Sequence, residues 1–189
     1  MALRTAVACG HVTAHFQPVV DLADGRVLGV EALCRWTDAS GRSIPPAEFI
    51  PLAERTGVIG VVGSHVLDLA VRQAERWAAD PGEAPTMAFN VSAAQLSDPA
   101  FPAELAAVVA ATSLDPRTLC LEITETATIA DPPAALATVE AAREMGLSIA
   151  LDDFGTGQSS LAYLAEFPID IIKIDKAFVD EVDEDDRTR

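Results

Sequence analysis

The sequence predicts an α/β fold on a mainly parallel sheet, and its strand ends favour a (β/α)8-type barrel over a doubly wound sheet. Three observations carry this reading. Short apolar strands alternate with helical stretches along the chain. Five strands bear a polar residue on one face near the C-terminal end, with bulky aliphatics on the other. The run Leu151-Asp152-Asp153-Phe154-Gly155-Thr156-Gly157 puts two adjacent carboxylates at the end of an apolar strand. Like charges held side by side in a half-buried place need a cation, and a divalent metal is the usual one.

The elements follow in order. Strands are predicted at His15–Leu22, Val27–Trp36, Thr86–Ser92, Thr118–Thr124, Leu147–Asp153 and Ile169–Asp175, and helices at Pro46–Arg55, Val61–Ala79, Ala100–Ala111, Pro132–Met145 and Ser159–Glu166. In the second helix Val62, Val66, Leu69, Gln73 and Trp77 follow helical spacing, which reads as a core stripe. Asp131 caps a helix whose first turn holds Pro132 and Pro133, and Gly146 ends it. No internal repeat or low-complexity linker interrupts the pattern.

Composition narrows the class. The chain has 189 residues, 50% hydrophobic and 22% charged, enough for one sizeable core. The formal net charge of −16 argues against a polymeric nucleic-acid binder, which needs basic surface to neutralise phosphates. Part of that charge lies in an acidic tail, residues 180–189. No apolar run is long enough to span a bilayer, and the N-terminus makes a poor signal peptide. Cys9, Cys34 and Cys120 are far apart and lack metal or disulfide spacing, so they read as reduced thiols in a cytoplasmic protein.

Strand parity gathers the polar groups. Glu31 shares a face with Leu33 and Arg35, Asn90 with Ala88 and Ser92, Glu122 with Cys120 and Thr124. Asp152 lies on the face of Ala150, and Lys173 on that of Asp175. Taken singly, a strand-end Glu is more often a surface residue, Asn90 a turn cap and Lys173 a snorkelling side chain. Shared strand end and shared parity reverse those odds, because independent surface residues have no reason to agree. In a barrel these groups converge at the C-terminal mouth, where such folds place their chemistry. His11, His15 and His65 share no register and read as ordinary residues. Gly155 and Gly157 fit a backbone turn better than a phosphate cradle.

The run Glu31-Ala32-Leu33-Cys34-Arg35-Trp36 resembles the signature of the EAL domain family of cyclic di-GMP phosphodiesterases. The resemblance extends through Phe16-Gln17-Pro18-Val19-Val20, Pro46 to Glu54, Asn90-Val91-Ser92, Glu122-Ile123-Thr124-Glu125, the Asp152–Gly157 turn and Ile172-Lys173-Ile174-Asp175. Seven motifs in order cover nearly the whole chain, which makes the match specific.

This resemblance implies a modified barrel that opens cyclic di-GMP to linear pGpG with two Mg²⁺ or Mn²⁺ ions. Glu31, Asn90, Glu122 and Asp152 would hold one metal, and Asp152 would bridge to a second that Asp153 also binds. Lys173 would stand beside the attacking water. Gln17 and Arg35 would contact the substrate, Arg35 through its phosphate. Glu125 would hold the loop after Asp153 in a working shape. Family members also commonly form homodimers and work with sensory or GGDEF-type domains.

Two departures stand out. Gln158 occupies a position where the family usually has Tyr. The last two strand–helix units, which in the family carry a metal-binding general-base Glu and a substrate-contacting Gln, have no counterpart after Asp175. The expectation is an incomplete barrel of about six of the eight strands, with an incomplete second metal site. Loss of a general base costs about 10²–10⁴-fold in rate, so turnover is expected to be impaired. The alternatives are a non-catalytic cyclic di-GMP receptor and a protein-interaction module.

Overall fold

The computed structural model describes residues 3–80, 84–155 and 166–180. A short helix α1 (Leu3–Ala8) leads into a hairpin of β1 (Val12–Val20) and β2 (Val27–Thr37), which pair antiparallel with Gln17 opposite Glu31. The turn is built on Asp24-Gly25. Gly25 takes φ +73°, a left-handed conformation that favours glycine, and Asp24 accepts a 2.9 Å hydrogen bond from the Arg26 N–H. A two-residue strand β3 (Ser43–Ile44) pairs with the end of β2.

Helices α2 (Pro46–Arg55) and α3 (Ile59–Ala78) follow, then β4 (Thr86–Asn90), which runs parallel to β2. Next come α4 (Ala93–Leu96), α5 (Phe101–Ala111) and β5 (Leu119–Thr124). Helices α6 (Glu125–Ala130) and α7 (Pro132–Glu144) precede β6 (Ser148–Phe154), β7 (Ile171–Ile174) and α8 (Lys176–Asp180). The strand order is β1-β2-β4-β5-β6-β7, with the last five parallel. Among the described residues this is an open, barrel-like sheet with β1 and β7 at its two ends.

The six predicted strands are all present, with β1 beginning three residues early at Val12. Helix α2 has the predicted limits, and α3, α5 and α7 fall within two residues of theirs at each end. The predicted helix at Ser159–Glu166 lies outside the described residues but for its last residue. The core stripe of α3 is centred on Val62, Val66, Ala70 and Ala74, all buried. Leu69, Gln73 and Trp77 lie at its margin, half-buried, with the Trp77 ring edge-on to Phe16 at 5.2 Å.

Alternation sorts the sheet into two faces. Met87, Phe89, Leu119, Leu121, Ile123, Ile149 and Leu151 are fully buried in the main core, on the helix-covered side. The opposite face carries a separate small cluster of Ala88, Cys120 and Ala150. Each of these sits two residues before a predicted ligand, so the layer beneath the ligands is made of small side chains.

Helix α7 shows how locally the sequence sets its limits. The Asp131 side chain accepts from the Ala134 N–H at 3.3 Å, and prolines occupy the first positions, where no N–H is needed. At the other end Gly146 takes φ +99° and donates to Arg143. Asp131→Ala is expected to cost about 1 kcal/mol in urea unfolding, the usual loss for a removed N-cap.

Candidate functional site

The strand register explains why the polar residues meet. Glu31 is level with Ala88, so Asn90 lies two residues further along its own strand. Asn90 is level with Glu122, and Glu122 with Ala150, so Asp152 is again two residues further on. This stepwise advance matches the stagger of tilted barrel strands, which brings successive strand ends toward one point.

Glu31, Glu122 and Asp152 each offer a carboxylate oxygen, and these oxygens lie within 4.8 Å of one another. Lys173 on β7 reaches into the group. Its Nζ stands 3.0 Å from Glu31 Oε2, 2.9 Å from Glu122 Oε1 and 3.0 Å from Asp152 Oδ2. Asn90 Nδ2 donates to the other oxygen of Glu31 at 2.8 Å. Five residues on five strands thus form one hydrogen-bonded cluster, as strand parity predicted.

Between β6 and β7 the register shifts after Leu151↔Ile172 and resumes at Phe154↔Ile174. Asp152 and Asp153 therefore face the single residue Lys173, in the manner of a β-bulge. Asp153 takes φ 55° there, the only non-glycine residue with positive φ among the described residues. Asp152 Oδ1 accepts from the Asp153 N–H at 3.0 Å, which steadies the bend. Gly155 follows at φ +102°, and a Cβ there would come within 2.7 Å of the Phe178 ring.

The electrostatics are unbalanced, with three carboxylates against one ammonium. Glu122 is only 3% exposed and its Oε2 is buried without a hydrogen-bond partner. Burial, with Glu31 adding repulsion, pushes its carboxyl up to about 7 against the pull of Lys173. Burial also opposes charge on Lys173, but Glu122, Asp152 and Glu31 outweigh it and raise its pKa. Asp153 is raised too, by burial and then by Asp152 and Asp175.

A cavity of about 660 Å³ opens beside the cluster, between β2, β4 and helices α2 and α3. Glu31, Asn90 and Asp153 form its polar end, Ile59, Val62 and Val66 its apolar side. Val62 and Val66 were legible only as core, yet they also line this cavity. Arg35 lines the same cavity, half-buried, its guanidinium donating to the Cys34 carbonyl at 2.8 Å. Gln17 is exposed on β1, opposite Glu31. Glu125 is buried at the start of α6, whose N-cap Thr124 accepts from the Ala127 N–H. The loop it is expected to support falls largely within residues 156–165, outside the described ones.

The cysteines and two of the histidines have ordinary structural surroundings. Burial raises the Cys34 thiol to about 11, and burial with Glu122 raises Cys120 to about 12, so both stay protonated. All three cysteines are free. His11 and His65 donate to the carbonyls of Thr37 and Val12, which are structural roles. Among the described residues no helix is long and apolar enough to cross a membrane.

The cluster suits a hard divalent cation. Its three carboxylates offer oxygen ligands, the charge balance is negative, and the orphaned Glu122 Oε2 is a ready ligand atom. The chain is 41% identical over 184 residues to the bifunctional diguanylate cyclase/cyclic di-GMP phosphodiesterase MucR of Pseudomonas aeruginosa, covering 97% of this chain and 27% of MucR. It is 44% identical over 186 residues to an uncharacterised signalling protein of Caulobacter vibrioides, covering 98% of this chain and 22% of that protein. The chain thus spans about a quarter of the length of these relatives. The structure of the MucR phosphodiesterase in complex with c-di-GMP superimposes with a TM-score of 0.90 at 38% identity, over 98% of this chain and 75% of that one. With the family pattern matching residues 1–189 and the five-strand cluster in place, the chain belongs to the EAL domain family.

Proposed function

We propose that this domain is a metal-dependent cyclic di-GMP phosphodiesterase that opens the cyclic dinucleotide to linear pGpG in the cytoplasm. The observation that carries the reading is the cluster of Glu31, Glu122 and Asp152, which shares Glu31 with a neighbouring cavity large enough for a nucleotide. Glu31, Asn90, Glu122 and Asp152 would hold one Mg²⁺ or Mn²⁺, and Asp152 with Asp153 would contribute to a second. Such a pair lowers the pKa of water and neutralises charge developing on a phosphate.

The chain's own residues do the rest. Arg35 gives up its bond to the Cys34 carbonyl to pair with a phosphate oxygen, a stronger, charge-assisted contact. Gln17, at the rim, offers an amide to the sugar or base. Lys173, whose Nζ lies within 3.0 Å of Glu31, Glu122 and Asp152, is placed to donate and to orient. In the reaction the oxygen of water bonds to phosphorus and one P–O ester bond breaks. A phosphomonoester and a free hydroxyl result.

The proton from that water needs an acceptor, and the general-base Glu that the family resemblance implies has no counterpart among residues 1–189. The test is incubation of the 189-residue chain with cyclic di-GMP and Mn²⁺, following both binding and linear product. Metal-dependent binding with turnover about 10²–10⁴-fold below that of a family member carrying the general-base Glu is expected. Binding with no product at all would make the domain a receptor. No metal-dependent binding would overturn the proposal.

A further inference from the structure

We propose that Asp170, immediately before β7, is a positioning residue that fixes the register of this strand and thereby delivers Lys173 to the carboxylates. The inference rests on reading Lys173 as part of the functional site. It concerns how that side chain gets there.

Strand β7 is four residues long and weakly held. Ile171, Ile172 and Ile174 are all exposed among the described residues. Only two regular pairs, Ala150↔Ile171 and Leu151↔Ile172, precede the bulge. The bulge itself cannot define register, because two residues face one there. A slip by one residue would turn Lys173 to the other face of the sheet. Something at the entry to the strand has to prevent it.

Asp170 has the contacts to do so. Its backbone N–H donates to the Ile149 carbonyl at 2.9 Å. Its Oδ2 accepts from the Ile149 N–H, also at 2.9 Å. Its Oδ1 accepts from Arg143 of α7 at 3.1 Å. The side chain therefore completes a two-way lock between Asp170 and Ile149, and α7 holds the lock in place. Lys173 stands three residues beyond Asp170, and Asp152 three beyond Ile149, so the lock and the Lys173–Asp152 contact are the two ends of one short ladder. Asp170 touches no group of the cluster, and it acts only through β7.

The chain offers a direct readout, because Lys173 and Lys176 are its only two lysines. Brief acetylation with acetic anhydride at pH 8, followed by peptide mass spectrometry, gives the Lys173/Lys176 labelling ratio without nucleotide or metal. The unaltered chain sets the reference ratio, with the Lys173 amine held by three charge-assisted hydrogen bonds that it must leave before it reacts. In Asp170→Ala the ratio should rise by about fivefold or more, with both halves of the lock lost. Asp170→Asn should fall in between, since its amide oxygen still accepts from Ile149 but pairs poorly with Arg143. Ile172→Ala trims an exposed side chain of the same strand and should leave the ratio within about twofold.

An unchanged ratio in Asp170→Ala, with circular dichroism confirming the fold, would overturn the proposal. So would an equal rise in Ile172→Ala, which would reduce Asp170 to general support of the strand. Because the labelling uses no cyclic di-GMP, a failed hydrolysis assay leaves this outcome untouched.

Discussion

Replacing Lys173 with methionine is expected to lower the stability of the metal-free chain by about 3 kcal/mol at pH 8, the low end for breaking a buried ion pair because the group is partly exposed. Three carboxylates would then face one another with no cation, and Glu122 is almost wholly buried. The sign with pH follows from the shifts. The folded pKa of Lys173 lies above its unfolded value, so its contribution is fully present below the unfolded pKa and is lost only as pH rises through the folded one. Between pH 5 and 9 the unaltered chain keeps it whole. The deficit of the variant should shrink as pH falls toward 7, because without Lys173 the Glu122 carboxyl takes up its proton at a higher pH than in the unaltered chain. Saturating Mn²⁺ should restore more stability to Lys173→Met than it adds to the unaltered chain, by replacing the missing cation. Urea unfolding in chelator and in Mn²⁺ measures both. A deficit below about 1 kcal/mol would show that the carboxylates relax apart freely, contrary to their placement on paired strands.

Glu122→Gln should separate stability from metal binding. The folded pKa of Glu122 is raised to about 7. Between the unfolded value and that figure the folded chain holds a proton that the unfolded one has released, so this group makes stability fall as pH rises through the window. The amide cannot ionise and removes that penalty. At pH 8 the metal-free variant should therefore be more stable by about 1–3 kcal/mol, with the two proteins converging near pH 5. Mn²⁺ affinity should move the other way. Losing an outer partner of a ligand costs 10–100-fold, so losing an anionic ligand itself should reach about 100-fold. Thermal melts at the two pH values and calorimetric Mn²⁺ titration check this pair of opposed effects. A variant less stable at pH 8 would mean that Lys173 stabilises the ionised Glu122 more than burial opposes it.

Much of the site was legible because strand periodicity is simple. Parity alone placed Glu31, Asn90, Glu122, Asp152 and Lys173 on one face, and the structure brings all five together. The antiparallel start of the sheet is also written in the chain, as Asp24-Gly25 between two apolar runs. The short helices α4 and α6 escaped because four to six residues hold too little of a 3.6-residue period to register. The role of Asp170 was hidden for another reason. A single Asp before a strand is ordinary turn chemistry until the register puts Ile149 beside it. The left-handed bend at Asp153 likewise depends on the partner strand, since the bulge arises only in pairing.

The thin packing of β7 has a consequence for how the domain loosens. Free energy for local opening is lowest where apolar burial is thin, and Ile171, Ile172 and Ile174 of β7 are all exposed at one end of the described sheet. Its amides should exchange with deuterium well before those of β4 and β5, whose side chains lie in the main core. Such an excursion would withdraw the cluster's lone ammonium while the strands bearing Glu31, Asn90, Glu122 and Asp152 stay intact. For its duration the domain would present a bare anionic crater, open to incoming cations.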